Sequence, residues 1–385
     1  MITQDFLPLK GGIASYLYSI WEKYLQKTDF RVIIPEYIVD DTVKNLPFQV
    51  ISSSFKPFNI ADFEREKCNT SLIQKIEDIA PDIILFGYLR SHTELGMRYK
   101  QINPKSRYGL IMHAKEAFLT NTLAGITHVQ GAHKEYTTEE IHAYYAAIMN
   151  ADYVFTVSDF TKNLLINQGL KREYITIYPS LKEASIIVKD KSIFELGLDS
   201  QDYVLLSVGR LIKRKGQDLV LNTLPKLKEH IPNLKYIIAG EGPEKYNLEN
   251  QVKNLSLEQN VLFAGKVEDS ELAKYYSSTN LFVLPCRFIP PNDVEGFGIV
   301  FLEANLYGKP VIAGNTGGAT EAVQHNATGL LIDPEDKSEL EEAILKVYHN
   351  PSLASELGMN GRLRVLEKYI STPSDKLLNL FTASK

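Results

Sequence analysis

From Tyr203 onward, short apolar runs alternate with longer stretches whose apolar residues recur at three- and four-residue spacing. "YVLLSV" (203–208) is apolar almost throughout, as a strand buried on both faces must be. Gln217 to His230 follow, with Leu219, Val220, Leu224 and Leu227 on one helical face. The alternation continues through strands predicted at 235–239, 261–263, 281–284, 310–313 and 329–332. Helices are predicted from Glu244, Ser270, Ile299, Gly318 and Lys337. Such a βα rhythm implies a parallel sheet covered by helices on both faces.

The first half repeats the rhythm less cleanly. "RVIIPE" (31–36), "DIILFGY" (82–88), "RYGLIMH" (107–113), "DYVFTVS" (152–158) and "YITIYP" (174–179) read as strands, and "GGIASYLYSIWEKYLQK" (11–27) as an amphipathic helix opening on two glycines. Only about five residues precede that loop as a strand, so either the strand is very short or the true chain begins earlier. The expected organisation is α/β, with two doubly wound domains at 1–185 and 186–370. The joint is expected near Leu181–Lys191, and a C-terminal helix at about 371–385 packs back on the first domain.

Composition narrows the classes. The chain has 385 residues, 44% hydrophobic and 23% charged, as in an ordinary globular protein. Its net charge of −5 argues against a general nucleic-acid binder. No run reaches the roughly 18 apolar residues of a membrane span. The opening "MITQDFLPLKGG" lacks a basic segment followed by an apolar one, so no signal peptide is expected. Cys68 and Cys286, far apart, read as reduced thiols of a cytoplasmic protein. "RYKQINPKSR" (98–107) carries basic residues and no acidic one; it is either a solvated loop or a peripheral contact with anionic lipid.

Ligands of open α/β sheets sit beyond the C-terminal ends of the strands. After "YVLLSV" comes "GRLIKRKG", from Gly209 to Gly216. Arg210 and Lys215 there suit a pyrophosphate; a solvated basic loop is the plain alternative. "GEGP" follows the next strand, and Gly240 and Gly242 permit close backbone approach or simply make a tight turn. "AGKV", with Lys266 and Val267, offers backbone groups that could read a base edge. "DVEGFGIVFLEA" (293–304) then places Gly298 and Ile299 in the first turn of a helix closed by Gly308. Free N–H groups at such a start bind phosphate without any side chain. Glu303, one turn into that helix, needs a partner in its apolar surroundings, and a ribose diol offers two donors. Glu295, on the loop before it, faces whatever the phosphates carry. Both could instead be structural ion-pair residues.

In the first half, Gly11 and Gly12 open a helix and form either a phosphate cradle or a plain cap. His113 ends a strand, where it could donate to a sugar hydroxyl, move a proton or be structural. Ser158 reads as a helix N-cap. The chain has no G-x-x-x-x-G-K-[ST], no G-x-S-x-G, no G-x-G-x-x-G after a strand and no His/Cys cluster with metal spacing.

Taken in order, "LLSVGRLIKRKG", "YIIAGEGP", "VLFAGKV", "LFVLPCRF…DVEGFGIVFLEA", "GKPVIAGNTGGATEAV" and "TGLLIDPED" resemble the retaining glycosyltransferases of the GT-B architecture, the large family 4. The two glutamates of "E-G-F-G-I-V-F-L-E" are similar to that family's signature. The resemblance implies two Rossmann-like domains facing a central cleft. It gives Arg210 and Lys215, with Gly209 beside them, to the donor pyrophosphate, and Glu303 to the ribose. Glu295 goes to hydroxyls of the transferred sugar, and the backbone of Phe297, Gly298, Ile299 and Val300 to phosphate and sugar. Val267 borders the base, Gly12 approaches the phosphate, and His113 lies beside the sugar. No cofactor and no dedicated metal are implied.

The segment "YPSLKEAS" (178–185) departs from the family's Asn-Gly-Val-Asp element. "CRFIPPNDVEGFG" resembles the branch of phosphatidylinositol mannoside mannosyltransferases and hints at GDP-mannose. The implied function is sugar transfer from a GDP- or UDP-sugar to a glycan or lipid-linked acceptor in surface polysaccharide or glycolipid assembly. The alternatives are a phosphorylase or disaccharide synthase on the same scaffold, and a non-catalytic sugar-nucleotide-binding module.

Overall fold

In the computed structural model, the structure describes residues 1–3, 6, 11–21, 29–53, 62–88, 94–117, 127–129, 132–134, 138–181, 196–370, 377 and 380. Two compact units divide the chain: 1–180 with 371–385, and 181–370. The predicted joint near Leu181–Lys191 and the helix at about 371–385 lie largely outside the described residues.

The first unit contains β1 (Ile2–Thr3), α1 (Gly12–Trp21), β2 (Arg31–Pro35), β3 (Gln49–Ser53), α2 (Asp62–Ile79), β4 (Ile83–Tyr88), α3 (Leu95–Ile102), β5 (Arg107–Met112), α4 (Ala114–Ala117), β6 (Thr127–Val129), β7 (Ala132–Lys134), α5 (Thr138–Asn150), β8 (Tyr153–Thr156), α6 (Asp159–Asn167) and β9 (Ile175–Thr176). Its main sheet runs β3-β2-β1-β4-β5-β8-β9, all parallel. The described strand before the glycines is Ile2–Thr3. Ile2 pairs with Ile33 and Phe86 near the middle of the sheet. "YITIYP" yields only two paired residues, and β6–β7 form a separate antiparallel pair. Gly87 lets α1 close on β4: a Cβ there would meet Leu17 Cδ1 at 2.9 Å. Ser158 caps α6, accepting from the Thr161 N–H at 3.1 Å. Part of the basic run is used internally: Lys100 meets Asp152 at 2.6 Å, and Arg107 donates to the Tyr153 hydroxyl at 2.8 Å.

The second unit contains β10 (Tyr203–Val208), α7 (Gln217–His230), β11 (Leu234–Ala239), α8 (Lys245–Asn254), β12 (Val261–Gly265), α9 (Asp269–Ser278), β13 (Leu281–Leu284), α10 (Ile299–Leu306), β14 (Val311–Gly314), α11 (Ala319–Ala322), β15 (Leu330–Ile332), α12 (Lys337–His349) and α13 (Pro351–Lys368). The strand order is β12-β11-β10-β13-β14-β15, again all parallel. Five of the six residues of β10 are buried, which is why it reads as one apolar run. α7 buries Leu219, Val220, Leu224 and Leu227 against the sheet, on the face its periodicity predicts. α13 lies close on α10 because Gly361 faces Asn305; a Cβ there would stand 2.4 Å from Nδ2.

Each main sheet reverses its order once, between β1 and β4 and between β10 and β13. Loops leaving neighbouring strands in opposite directions open a crevice at such a switch point. Gly11 and Gly12 lie at the first. "GRLIKRKG" and "PCRFIPPNDVEGFG" leave β10 and β13 at the second.

Candidate active site

The loops of the second switch point are held backbone against backbone. Gly216 has φ +75°, and a Cβ there would lie 2.3 Å from the Pro285 carbonyl oxygen. Gly314, Gly317 and Gly318 press similarly on Cys286, Glu295 and Gly296, and the Gly318 N–H donates to the Glu295 carbonyl at 2.8 Å. Thr316 Oγ1 donates to the Cys286 carbonyl at 2.7 Å. Arg287 adds a two-pronged bond to Asp218 in the first turn of α7, at 3.1 and 2.8 Å. The segment 286–298 is thus fixed from both neighbouring strands.

This frame delivers a buried ionic cluster. Glu295 Oε2 accepts from Lys215 Nζ at 2.6 Å and from Arg214 Nη1, and Arg214 Nε lies 3.2 Å from Asp293 Oδ1. The side chains of Glu295, Lys215 and Arg214 are 12, 11 and 10% exposed. Burial alone would raise the Glu295 pKa, but Arg214 and Lys215 outweigh it and hold the carboxyl well below the usual carboxylate range. Cys286 lies 3.6 Å from the same oxygen, and burial pushes its thiol up to about 12.

The sequence assigned Lys215 and Glu295 to different parts of a ligand and did not consider Arg214. In the structure the two groups are ion-paired, and Arg214 completes the cluster. The reason is burial, because a carboxylate this enclosed needs compensating charge. The signal was present in "KRK", but three adjacent cations do not show which of them turn inward. Arg210 stays exposed, and a Cβ on Gly209, whose φ is +152°, would stand 3.7 Å from Lys215 Nζ. The Lys215 side chain therefore reaches back to the end of β10.

Beside the cluster, α10 starts at Ile299. Gly298, at φ +91°, occupies its N-cap position rather than its first turn, and no side chain caps the end. Ile299 and Val300 are half-buried, and Phe297 is buried with its ring 5.9 Å from that of Tyr369. Glu303 is one turn in, and its Oε2 accepts from the Tyr276 hydroxyl at 2.6 Å. Burial raises its pKa, with Tyr276 opposing. The partner that a buried carboxylate needs is supplied in part by α9. On the β11 and β12 side, Gly242 is fixed by Leu211, whose carbonyl oxygen a Cβ would approach to 2.3 Å. Lys266 is exposed, Val267 half-buried, and Gly265 has φ +64°.

In the first unit, His113 follows β5 and is 8% exposed. Its Nε2 lies 3.1 Å from the Gly87 carbonyl, and the Tyr16 ring meets it edge-on at 5.6 Å. Burial lowers its pKa to about 4, so the ring is neutral at pH 7. A carbonyl only accepts, so Nε2 carries the proton and Nδ1 is the acceptor. A His113 acting as a cationic acid at neutral pH does not fit this environment. Gly11 and Gly12 have open space, since a Cβ on either meets no atom within 4 Å. Neither packing nor a positive φ demands glycine at Gly12, the first residue of α1. Gly12→Ala should leave the melting temperature unchanged or raise it, with up to about 1 kcal/mol available from lost chain entropy. If the glycine serves ligand approach, turnover falls in the same variant; unchanged turnover would contradict that role.

Among the described residues no group of His, Cys, Asp and Glu has the arrangement to hold a metal ion, and no helix is long and apolar enough to cross a membrane.

Comparison with known proteins shows what the chain is similar to. Residues 188–364 match the family model for glycosyl transferases group 1. The GDP-mannose-dependent alpha-(1-6)-phosphatidylinositol monomannoside mannosyltransferase of Mycobacterium tuberculosis is 37% identical over 159 residues, which are 41% of this chain and 41% of that one. The match thus spans about two fifths of that relative's length. Among solved structures, HepE of Anabaena in complex with UDP aligns with a TM-score of 0.78 at 19% identity, covering 99% of each chain. Sucrose-phosphate synthase of Thermosynechococcus elongatus aligns at 0.80 with 20% identity over 99% of this chain and 98% of that one. The chain therefore has the GT-B fold, and its residues 188–364 match the glycosyl transferases group 1 model and resemble the phosphatidylinositol monomannoside mannosyltransferases.

Proposed function

We propose that the protein is a retaining glycosyltransferase that moves a sugar from a nucleotide-sugar donor, GDP-mannose or a UDP-sugar, to a glycan, lipid or other glycoconjugate acceptor. The observation that carries this reading is the Arg214–Glu295–Lys215 cluster beside the uncapped start of α10, at the switch point of the second sheet. The named relative uses GDP-mannose, and HepE was crystallised with UDP, which supports a nucleotide-sugar donor.

The chemistry follows from charge. Breaking an anomeric bond leaves a nucleoside diphosphate anion and an oxocarbenium-like sugar. Lys215, the exposed Arg210 and the N–H groups at Ile299 and Val300 would take up the charge on the departing diphosphate, the strategy that contributes most in many enzymes. Lys215 has three donors and gives one to Glu295, so others remain for phosphate. Glu303 would accept from the ribose hydroxyls, and Val267 would border the base. A carboxylate compensated by two cations is a weak base. Glu295 therefore suits accepting hydrogen bonds from sugar hydroxyls better than abstracting protons. In the first unit, Gly12 is assigned to phosphate and His113 to the transferred sugar, where a neutral imidazole accepts at Nδ1. Retention then arises from same-face attack, with the leaving phosphate as base.

Incubation with a panel of UDP- and GDP-sugars tests this. One donor should be hydrolysed or transferred with its anomeric configuration kept, and the rate should persist in EDTA because fixed cations do the work of a metal. Inverted product, or a rate abolished by EDTA and restored by a divalent ion, would contradict the mechanism.

A further inference from the structure

Tyr276 has no part in the chemistry described above, yet it is 1% exposed and gives its only donor to Glu303. Its ring is locked. Tyr307, from the last turn region of α10, stacks on it at 5.5 Å and 16°, and Phe282 of β13 packs at 6.0 Å. The bond links α9 to α10 across the mouth of the second sheet. A second tie runs parallel to it, from Lys309 Nζ to the Ser277 carbonyl at 2.9 Å. Glu303 sits on a helix whose neighbouring residues Phe301, Leu302 and Ala304 are buried. Among the described residues no cation pairs with it.

A carboxylate that is to accept from both hydroxyls of a ribose must meet two conditions. It must be ionised, because a protonated carboxyl loses an acceptor, and its plane must be fixed, because a diol presents its donors in one geometry. Tyr276 serves both. Its hydroxyl occupies Oε2 from the α9 side and directs the remaining lone pairs away from α9. Its bond favours the charged form, opposing the burial that raises the Glu303 pKa.

We propose that Tyr276 is a positioning residue that holds Glu303 oriented to grip a ribose diol. The inference rests on the donor reading given above. The titratable groups facing Glu303 are Tyr276 and Asp269 of α9 and Tyr307 next to its own helix, and Asp269 adds to the upward push. α13, on the other side of α10, brings Gly358 and Gly361 close, and its Arg364 goes to the carbonyls of Glu321 and Ala322.

The test is calorimetry with UDP and GDP and with their 2′,3′-dideoxy forms, on wild type and Tyr276→Phe, from pH 8 to pH 5. Wild type should prefer the ribonucleotide by about tenfold or more, as for a lost hydrogen bond to a charged group. Tyr276→Phe should lose most of that preference and bind the dideoxy form as wild type does. In wild type the preference should shrink as the pH falls, since protonation removes an acceptor. In the variant it should shrink at higher pH, because the bond that lowers the Glu303 pKa is gone. The diphosphate also titrates, but equally in both nucleotide forms, so the ratio isolates Glu303.

Equal weakening of both nucleotides in Tyr276→Phe would make Tyr276 merely structural and overturn the proposal. Should that variant fail to fold, the wild-type comparison of the two nucleotide forms still decides. Equal binding of both forms by wild type overturns it too while leaving donor binding intact. Wild type that binds neither nucleotide removes the donor reading itself.

Discussion

Lys215→Ala is expected to lose turnover by about 10²–10³-fold, the usual effect of removing one fixed donor to a developing anion, while the protein stays folded. Glu295→Ala is expected to lose both activity and stability. The asymmetry comes from the cluster's arithmetic. Two cations share one carboxylate oxygen within an almost closed site. Removing Lys215 leaves Arg214 and Glu295 as a balanced pair, with Asp293 3.2 Å from the guanidinium. Removing Glu295 leaves Lys215 mostly out of water without its carboxylate, and Arg214 with only the more exposed Asp293 for compensation. Breaking a buried ion pair in that way costs about 3–5 kcal/mol. For a unit of this size that is a melting-temperature fall of roughly 6–20 °C. Calorimetric melts of the two variants beside their turnover check this. Equal destabilisation by both would mean that the cluster does not share charge as described. Near-normal turnover of Lys215→Ala would remove it from the diphosphate.

Gly318→Ala is the second substitution expected to have a large effect, although Gly318 has an ordinary right-handed backbone (φ −72°) and tolerates any residue conformationally. The obstacle is space: a Cβ there would lie 2.0 Å from the Gly296 carbonyl oxygen and 2.8 Å from the Phe297 nitrogen. Relief demands a backbone shift of roughly 1 Å, since non-bonded atoms settle at about 3.5 Å or beyond. Gly296 sits between Glu295 and the Gly298 N-cap, so the shift misplaces the carboxylate and the α10 start together. A displacement of that size costs about a hundredfold in rate. Gly308→Ala is the control. Its φ of +68° carries about 1–2 kcal/mol of strain, but nothing lies within 4 Å of a Cβ, so stability drops and turnover per folded molecule holds. Turnover in Gly318→Ala equal to that control would show that the loop adapts.

These contrasts mark what the sequence could and could not reveal. The strands of the second unit were legible because parallel strands buried on both faces become continuous apolar runs, and β10 and β13 appear at their predicted bounds. β3 was not, because "QVISS" is half exposed at the sheet edge and carries no such run. At the site, Gly298 and Glu303 were legible, since a glycine before an apolar helix and a carboxylate inside one are local anomalies. The partners were not. Tyr276 is the second of two adjacent tyrosines, and only the packing of α9 on α10 selects it. Gly314 and Gly317 stand in a glycine-marked stretch that does not name their neighbours; close approach to Cys286 and Glu295 requires them. Pairwise tertiary contact leaves no period and no spacing in a single chain.

The central claim is that the second switch point binds a nucleoside diphosphate through Lys215. Titrating UDP and GDP into wild type and Lys215→Ala at neutral pH tests it most directly. The account predicts saturable binding of at least one of them at one site per chain, weakened at least about tenfold in the variant, as for a lost charge-assisted bond. No binding of either nucleotide to folded wild type, or equal affinity in both proteins, would contradict it.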